Sequence, residues 1–473
     1  MPLVIVGIGI IFLLILVSYF KLNAFIALLL TSFFVGLLNG MDLPAILDSI
    51  IKGVGETMGK IILILAFGAI LGRMLEESGA AHTITGKLTD LFGLKRIQYA
   101  LLLTGFLVGL PMMYNASFLV LIPLIFAFSS STKLPMLWLA IPLCSALSVA
   151  HCFLPPHPAP TYVSFIFDAD VNMVLLLGLI PMVPACLLGG IALSQFFKKV
   201  EVKPPAELFV ERQFTKDQLP GMGISLLCAI MPVILMLLGT VVDLSIGPLP
   251  AKDDMIRQGF PTLTSFYTNI LTVKGLEGIM LTIGAALLTF IKFLSDANIA
   301  LFVAVLFSFI FLGVRRGKKM DDLMKSAGNS IGAVSMIILI IGAGGAFSQV
   351  LKDGNVTQYI SSIATGIKMN PLLMAFSVAA IIRLAIGSAT VSTLTTAPLM
   401  LPIAQQTGIS PELMVLATGA GSVMWSHFND TGFWMFKEYF NLSIKQTFLS
   451  WTVMECIIGI TGIITVLIMN MFM

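Results

Sequence analysis

Charged residues are scarce in this 473-residue chain. Asp, Glu, Lys and Arg together make up 11% of it, whereas a soluble domain carries about 25%. Hydrophobic residues reach 58%, and apolar runs of about 17 to 25 residues, the length that crosses a bilayer core, recur along the chain. The formal net charge of +3 is spread over loops and gives no basis for nucleic-acid binding. The composition predicts an all-α, multi-pass membrane protein with about 11 to 14 transmembrane segments.

Several chemical motifs are also missing. The chain has no Cys/His spacing typical of metal sites and no phosphate-binding Gly-Lys-Ser/Thr loop, so ATP-driven transport by this chain alone is not expected. It has no nucleophile elbow, no HExxH and no paired carboxylates at catalytic spacing, which argues against an intramembrane enzyme. We therefore expect neither a cofactor nor a bound metal. The cysteines lie in or beside apolar segments and are predicted to be buried thiols: Cys144, Cys152, Cys186, Cys228 and Cys456.

Two basic clusters in the polar stretches 197–220 and 314–330 bear on topology. Positive-inside reasoning places both clusters in the cytoplasm. An even number of crossings must then separate them, so the weak apolar segment 277–293 is expected to lie in the interface or to re-enter. The cluster residues are Lys198, Lys199, Lys203, Arg212 and Lys216, then Arg315, Arg316, Lys318, Lys319 and Lys325.

Sequence landmarks recur at an offset of 276 residues. The tetrapeptide IILI occurs at 61–64 and again at 337–340. We therefore predict two repeat halves, 1–205 and 331–473, joined by a central loop and connecting helices at 206–330. Many secondary transporters are built from two repeats, with the substrate site where broken helices meet near the midplane. The same offset relates Gly68 to Gly344, Leu75 to Leu351, Pro135 to Pro411 and His151 to His427.

Four segments break the apolar pattern. They are GLPMMYNASF (109–118), HCFLPPHPAPTYVSFIFDAD (151–170), GSATVSTLTTAP (387–398) and SHFNDTGFW (426–434). Irregular backbone at membrane depth must be buried in protein or line a wet cavity, because unsatisfied N–H and C=O groups are costly in lipid. We predict re-entrant hairpins near 109–128 and 387–403, and broken helices near 151–165 and 426–434.

The hydroxyl-rich segment GSATVSTLTTAP has two interpretations. As a hairpin tip, it would present backbone N–H groups and the hydroxyls of Ser388, Thr390, Ser392 and Thr393 to an anion. Alternatively, it is a polar helix that uses Ser and Thr for helix–helix packing. We favour the hairpin, because the repeat partner of this segment also contains Gly, Pro and Asn.

Ionisable residues at the breaks are candidates for the site. His151 and His427 are repeat-related and each stands beside a break, while His157 is held between two prolines. Each is either a site residue or a satisfied core histidine. Asp430 is either a coupling-ion or proton site, or a cap for the following helix. Arg383 is a candidate partner for a substrate carboxylate or a buried acid, unless it snorkels to an interface.

These stretches resemble the signature sequences of the bacterial gluconate permeases, which are sugar-acid:proton symporters. The resemblance rests on HCFLPPHPAPTYVSFIFDAD, RLAIGSATVSTLTTAP and SHFNDTGFWMFKEYFNLSIKQTFLSW, and it extends over essentially the whole chain. It implies the ion-transporter superfamily architecture: a dimerising scaffold domain, and a mobile transport domain with inverted repeats and opposed hairpins. It also implies an elevator-like motion and proton-driven import of gluconate or a related polyhydroxy acid across the bacterial inner membrane. Relatives carry other small organic anions, and one branch carries D-serine.

Two departures from the family pattern bear on coupling. The family's first hairpin reads FFEVGF, whereas this chain has MMYNASF, with Asn115 in place of the glutamate, and the family's His-Pro-Gly-Pro reads His-Pro-Ala-Pro from His157. Asn115 cannot titrate, but with Ser117 and nearby carbonyls it would offer oxygen ligands to Na⁺. Alternatively, His151 or His157 takes over a proton relay. The change at Asn115 can equally alter which substrate is accepted.

The leading hypothesis is a secondary active transporter for gluconate-like acids, working as a homodimer. The alternative is a sodium-coupled or uncoupled transporter of another small organic anion or hydroxy amino acid. A passive channel would share the hydropathy but has no need of paired breaks. The coupling-ion candidates are His151, His157 and Asp430. The substrate-binding candidates are Asn115, Ser117, His151, His157, Arg383, Ser388, Thr390, Ser392, Thr393 and Asn429.

Two substitutions test this placement of the site. We expect His151→Ala or Asn429→Ala to abolish substrate uptake while the amount of protein in the membrane stays largely unchanged, because both residues stand where broken helices converge. Uptake and immunoblots of the same membranes measure the two effects. Unimpaired uptake in either variant would remove that residue from the site.

Overall fold

The computed structural model describes residues 2–200, 202, 216–247, 252–355, 369–427 and 430–473. Its regular structure is helical, with no strand among these residues, in agreement with the predicted all-α class. The first part of the chain contains α1 (Pro2–Leu14), α2 (Ala24–Leu38), α3 (Leu43–Glu77), α4 (Ala80–Phe92), α5 (Ile97–Gly109), α6 (Tyr114–Thr132), α7 (Met136–Phe153), α8 (Pro158–Phe167) and α9 (Val171–Cys186).

The remaining helices form a central group and a second series. The central group is α10 (Met222–Ile246), α11 (Lys252–Arg257) and α12 (Leu263–Val273). The second series is α13 (Gly278–Ser295), α14 (Ala297–Ser308), α15 (Met320–Asp353), α16 (Pro371–Ile386), α17 (Ala389–Thr407), α18 (Pro411–Ser422), α19 (Thr431–Tyr439), α20 (Ile444–Thr447) and α21 (Val453–Met469). Short π-helical turns continue α1, α9 and α14 and join α20 to α21.

The second series follows the first at the spacing of 276 residues that the sequence landmarks predict. Helix α3 corresponds to α15, α5 to α16, α6 to α17 and α7 to α18, each within two residues at its start. The counterpart of α4 would fall within 356–368, outside the described residues. The two series therefore share their order of helices, while the inverted orientation of the repeats stays a prediction.

Side-chain caps set several helix starts in both series. The carboxylate of Asp42 accepts a hydrogen bond from the backbone N–H of Ala45, at 2.8 Å, where α3 begins. Asp170 caps α9 in the same way, and Ser410 caps α18. Such caps satisfy N–H groups that have no partner within the helix.

Helices α3 and α15 are longer than the hydropathy pattern predicts. The sequence indicates spans at 60–76 and 332–351, yet α3 begins at Leu43 and α15 at Met320. The added turns of α3 carry Lys52 and Glu56, which lower the hydropathy of that part without breaking the helix. Helical propensity therefore decides the length here, because Lys and Glu are both good helix formers.

Eight described helices are long and apolar enough to cross a membrane. A ninth span results if Ala80–Phe92 and Leu94–Gly109, bent by 107° at their junction, cross together. The chain is therefore a multi-pass membrane protein, and the total of about 11 to 14 segments stays a prediction. Helix α13 is among the eight and is the least buried of them, so an interfacial place for 277–293 also stays a prediction.

The polar stretches 197–220 and 314–330 contact each other at residues that the structure describes. The guanidinium of Arg316 donates to the backbone carbonyl of Asp217, at 3.0 Å. The ammonium of Lys318 lies 3.6 Å from the carboxylate of Glu77, at the end of α3. Residues 216–218 and 315–318 are thus on the same side of the molecule, as positive-inside reasoning requires.

Helices α3 and α15 cross at a point where glycine permits close approach. A Cβ atom added at Gly53 would lie 2.4 Å from the backbone oxygen of Gly345, and one added at Gly345 would lie 2.0 Å from the hydroxyl of Thr57. This crossing holds together two helices that line the site described below.

A single added methyl group tests the crossing. We expect Gly53→Ala to lower the free energy of unfolding by about 1–3 kcal/mol, because the methyl group overpacks the contact with α15. Gly55→Ala, two residues away with no atom within 4 Å of the added Cβ, is the matched control and should not destabilise the protein. Thermal unfolding of the detergent-purified variants measures the difference. Equal stability of the two variants would contradict this account of the crossing.

Candidate substrate site

A cavity of about 450 Å³ is lined by residues from both helix series. Residues 112–116, at the junction of α5 with the first turn of α6, and residues 387–391, at the junction of α16 with the first turn of α17, both contribute to its wall. Residues from α3, α7, α15, the end of α16, the start of α19 and α21 also line it. The volume falls in the range of about 300–1,000 Å³ typical of small-molecule sites.

At each of the two breaks, a helix begins with its N-terminus at the cavity. Helix α6 begins at Tyr114 and α17 at Ala389, and both residues line the cavity. Gly387 has a φ of +79°, a left-handed conformation that glycine adopts without steric cost. The side chain of Ser388 then accepts a hydrogen bond from the backbone N–H of Val391, at 3.3 Å. Helix N-termini carry partial positive charge, so both breaks favour an anion.

Most of the hydroxyl-rich segment is helical. Only the first two residues of GSATVSTLTTAP lie outside a helix, so the second break is shorter than the sequence predicts. Ser392 donates to the carbonyl of Ala379, at 2.6 Å, and Thr393 donates to the carbonyl of Thr390, at 2.7 Å. Ser388 and Thr390 line the cavity, whereas Ser392 and Thr393 do not. Both interpretations of the segment thus hold in part: its start faces the cavity, and the remainder packs α17 against α16.

The two candidates of the first break lie on different sides of α6. Asn115 lines the cavity. Ser117 is fully buried, and its hydroxyl donates to the carbonyl of Met113, at 3.1 Å. Residues two apart on a helix do not face each other, so Asn115 and Ser117 do not present their oxygens to one point. The sodium site that the sequence suggests for this pair has no support in this geometry.

A buried ion pair stands in the cavity wall. The guanidinium Nη2 of Arg383, from the last turn of α16, donates to Oδ2 of Asp430, and the hydroxyl of Ser426 donates to the same oxygen. The other carboxylate oxygen accepts the backbone N–H of Gly432, at 2.9 Å, so Asp430 also caps α19. The arginine side chain is 4% exposed, which excludes snorkelling. Asp430 is therefore a helix cap and the buried acid that pairs with Arg383, while its role as a coupling-ion site stays a prediction.

The ion pair engages only one of the three guanidinium nitrogens of Arg383. Its Nε and Nη1 atoms are buried and have no hydrogen-bond partner in the described part of the chain. A guanidinium presents its donors as a rigid fork that matches a carboxylate. Because Arg383 lines the cavity, it can hold Asp430 and an anionic ligand at the same time.

Of the three candidate histidines, His151 and His157 lie close together, whereas His427 lies apart from them. The rings of His151 and His157 lie 5.2 Å apart. His151 lines the large cavity, and His157 lines a second, small cavity beside it. Nδ1 of His151 and Nε2 of His157 are buried without a hydrogen-bond partner among the described residues. His427, the repeat counterpart of His151, lies 3.1 Å from the carbonyl of Leu384 and lines neither cavity.

Asn429, the remaining predicted site residue, lies outside the described residues. Within 151–170, α7 ends at Phe153 and α8 begins at Pro158, with a cis peptide bond between Pro155 and Pro156.

Sequence reasoning missed three charged residues of the cavity wall. Arg73 and Glu76 of α3 line it, and Arg73 forms salt bridges with Glu76 and Glu77. Glu455 of α21 also lines the cavity and is 2% exposed. The available signal was a single carboxylate inside the apolar run WTVMECIIGI, where an ionisable residue marks a functional position by default.

A multi-pass helical protein whose broken helices enclose a charged, ligand-sized cavity has the architecture of a membrane transporter. The comparisons with known proteins narrow this class: residues 1–472 match the GntP permease family, and the chain belongs to that family. Members of the family are permeases rather than enzymes.

Curated relatives match over their full length. The chain is 43% identical to the "Gnt-II system L-idonate transporter" of Escherichia coli (strain K12), covering 99% of each chain. It is 41% identical to a "High-affinity gluconate transporter" of the same strain and 38% identical to a "Gluconate permease" of Bacillus subtilis (strain 168), covering 100% of each chain in both cases. The solved structure of the Alcanivorax borkumensis YdaH transporter shares the fold, with a TM-score of 0.55, 14% identity and coverage of 91% of this chain and 88% of that one.

Removal of the carboxylate tests the buried ion pair. We expect Asp430→Ala to lower the free energy of unfolding by about 3–5 kcal/mol, because it leaves Arg383 charged, buried and uncompensated. Glu438→Ala removes the carboxylate of an exposed pair with Lys437 and should cost about 0–1 kcal/mol. Thermal unfolding in detergent measures both. A similar loss of stability in the two variants would show that Asp430 does not compensate a buried charge.

Proposed function

We propose that the protein imports gluconate or a closely related sugar acid across the bacterial inner membrane together with a proton. The observation that carries this proposal is the pair of unused donors on Arg383, at a cavity that both helix breaks line. The substrate carboxylate accepts a hydrogen bond from one of these two donors, Nε or Nη1 of Arg383. The names of the relatives, gluconate and L-idonate transporters, supply the substrate class.

Arg383 is a better anchor for the carboxylate than Arg73, the other cation of the wall. Arg73 already pairs with two carboxylates, and 37% of its side chain is exposed. Arg383 pairs with one carboxylate and is 4% exposed. A charge-assisted hydrogen bond is stronger in a site that excludes water. The polar side chains of Asn115, Ser388 and Thr390 lie on the same wall and in this proposal bind the substrate's hydroxyl groups.

The breaks also supply the alternating access that import requires. In this proposal, the hairpins around 109–128 and 387–403 belong to a transport domain that moves against a dimeric scaffold, in the manner of an elevator. The resemblance to the gluconate permeases supports the homodimer and the motion. A passive channel would not need a charged anchor at two converging breaks.

Uptake by the purified protein tests the proposal. In proteoliposomes, we expect labelled gluconate uptake to accelerate when a proton gradient is imposed and not when a sodium gradient is imposed. Acceleration by a sodium gradient alone would show that Na⁺, rather than a proton, is the coupling ion. Absence of gluconate uptake under either gradient would contradict the proposed substrate.

A conservative substitution tests the anchor in the same assay. Arg383→Lys keeps a positive charge for Asp430 but lacks the guanidinium fork. We expect the apparent gluconate affinity to fall about tenfold to a hundredfold, as the loss of a charged hydrogen bond worth about 1.5–3 kcal/mol implies. Lys445→Gln, an exposed cation, is the control and should behave as wild type. Wild-type affinity in Arg383→Lys would remove Arg383 as the anchor.

A further inference from the structure

Glu455 is a carboxyl group at membrane depth without a cation beside it. It lies in the first turn of α21, is 2% exposed and lines the cavity. Within the described part of the chain, it forms no salt bridge. A charged side chain in this position is costly unless it is paired. The neutral, protonated form of Glu455 therefore costs less free energy at this position than the charged form, which forms no salt bridge with any described residue.

The hydrogen-bond partner of Glu455 among the described residues suits both protonation states. The hydroxyl of Ser148, on α7, lies 2.5 Å from Oε1 of Glu455. A serine hydroxyl can donate to a carboxylate and, after rotation, can accept from a carboxylic acid. Ser148 and His151 are three residues apart on α7, and both line the cavity. The carboxyl group thus has a hydrogen bond that persists through gain and loss of a proton.

The other carboxylates of the cavity wall already form salt bridges with arginines. Asp430 accepts from Arg383, from Ser426 and from the backbone N–H of Gly432. Glu76 is paired with Arg73. Protonation of Asp430 would leave Arg383 as an unpaired buried cation, which is strongly destabilising. Protonation of Glu455 leaves no cation without a partner.

Other titratable groups near Glu455 are less suited to the task. Cysteine and tyrosine release their protons only in alkaline solution when unperturbed. A protonated His151 would place a second positive charge near Arg383, with which it interacts electrostatically. The titratable or charged groups that face Glu455 or lie on the elements packed around α21 are Tyr114, Cys144, His151, Cys152, Cys186, Arg383, Glu412, Asp430 and Cys456.

We propose that Glu455 carries the coupling proton and that Ser148 positions its carboxyl group; this inference rests on the proposed sugar-acid symport. When the substrate carboxylate binds Arg383, a charged Glu455 on the same cavity wall would repel it. Uptake of one proton from water by Glu455 removes this repulsion, so anion binding and proton binding favour each other. One anion and one proton then cross together, and both are released on the other side without net charge movement.

Proton uptake on binding tests the assignment. Gluconate is added to the detergent-purified protein in weakly buffered solution above the pH at which Glu455 titrates, and a pH dye reports protons taken up. For wild type, we expect about one proton per bound gluconate and an apparent affinity that falls about tenfold per pH unit. Glu455→Gln, which mimics the protonated acid, should bind gluconate with no proton uptake and with an affinity independent of pH. Glu438→Gln, an exposed carboxylate, should behave as wild type.

The outcomes separate the two proposals. Proton uptake of wild-type size by Glu455→Gln would overturn the assignment of Glu455 and leave proton symport standing. Gluconate binding to wild type without proton uptake would instead overturn proton coupling itself. Loss of gluconate binding by a monodisperse Glu455→Gln would also overturn the assignment, because the amide preserves the shape of the acid. If Glu455→Gln does not fold, Ser148→Ala provides the test: a shifted pH dependence of gluconate binding supports the positioning role, and an unshifted one contradicts it.

Discussion

The buried ion pair between Arg383 and Asp430 is the constraint on which the site depends. A guanidinium at membrane depth requires a carboxylate, so the end of α16 and the start of α19 must meet. Ser426, which donates to Asp430, also accepts the indole N–H of Trp451, at 2.6 Å. One electrostatic requirement therefore holds three chain segments together. Since Asp430 accepts from Nη2 alone, the same requirement leaves Nε and Nη1 available as donors to a second acceptor.

Charge balance in the cavity connects binding to coupling. The described wall carries two arginines, which form salt bridges with Glu76, Glu77 and Asp430, whereas Glu455 forms no salt bridge among the described residues. A substrate anion adds a negative charge to a space that already holds this carboxyl group. In water such repulsion is weak, but it grows as water is excluded and the effective dielectric constant falls. Protonation of Glu455 removes one negative charge and so offsets the charge of the bound anion. Substrate binding at Arg383 and protonation of Glu455 are therefore linked in this account.

The positions of the helix breaks could be predicted from the sequence better than the length of the irregular segment at each break. Gly and Pro mark chain interruptions directly, so the positions of the breaks near Gly387 and after Phe153 and the spacing of 276 residues could be read without coordinates. The length of α3 could not, because charged residues in its first turns lowered the hydropathy. The roles of Ser117 and Ser392 depend on which side of a helix each residue occupies. Glu455 belongs to no motif, and its importance appears only when α7 and the cavity are placed beside it.

The central claim is that a sugar acid binds with its carboxylate on Arg383. The most direct measurement is an experimental structure of the protein with gluconate bound, at a resolution that shows the orientation of the ligand. We predict that the gluconate carboxylate accepts a hydrogen bond from Nε or Nη1 of Arg383, in the cavity that residues 112–116 and 387–391 line. Gluconate bound through Arg73, or outside this cavity, would contradict the account.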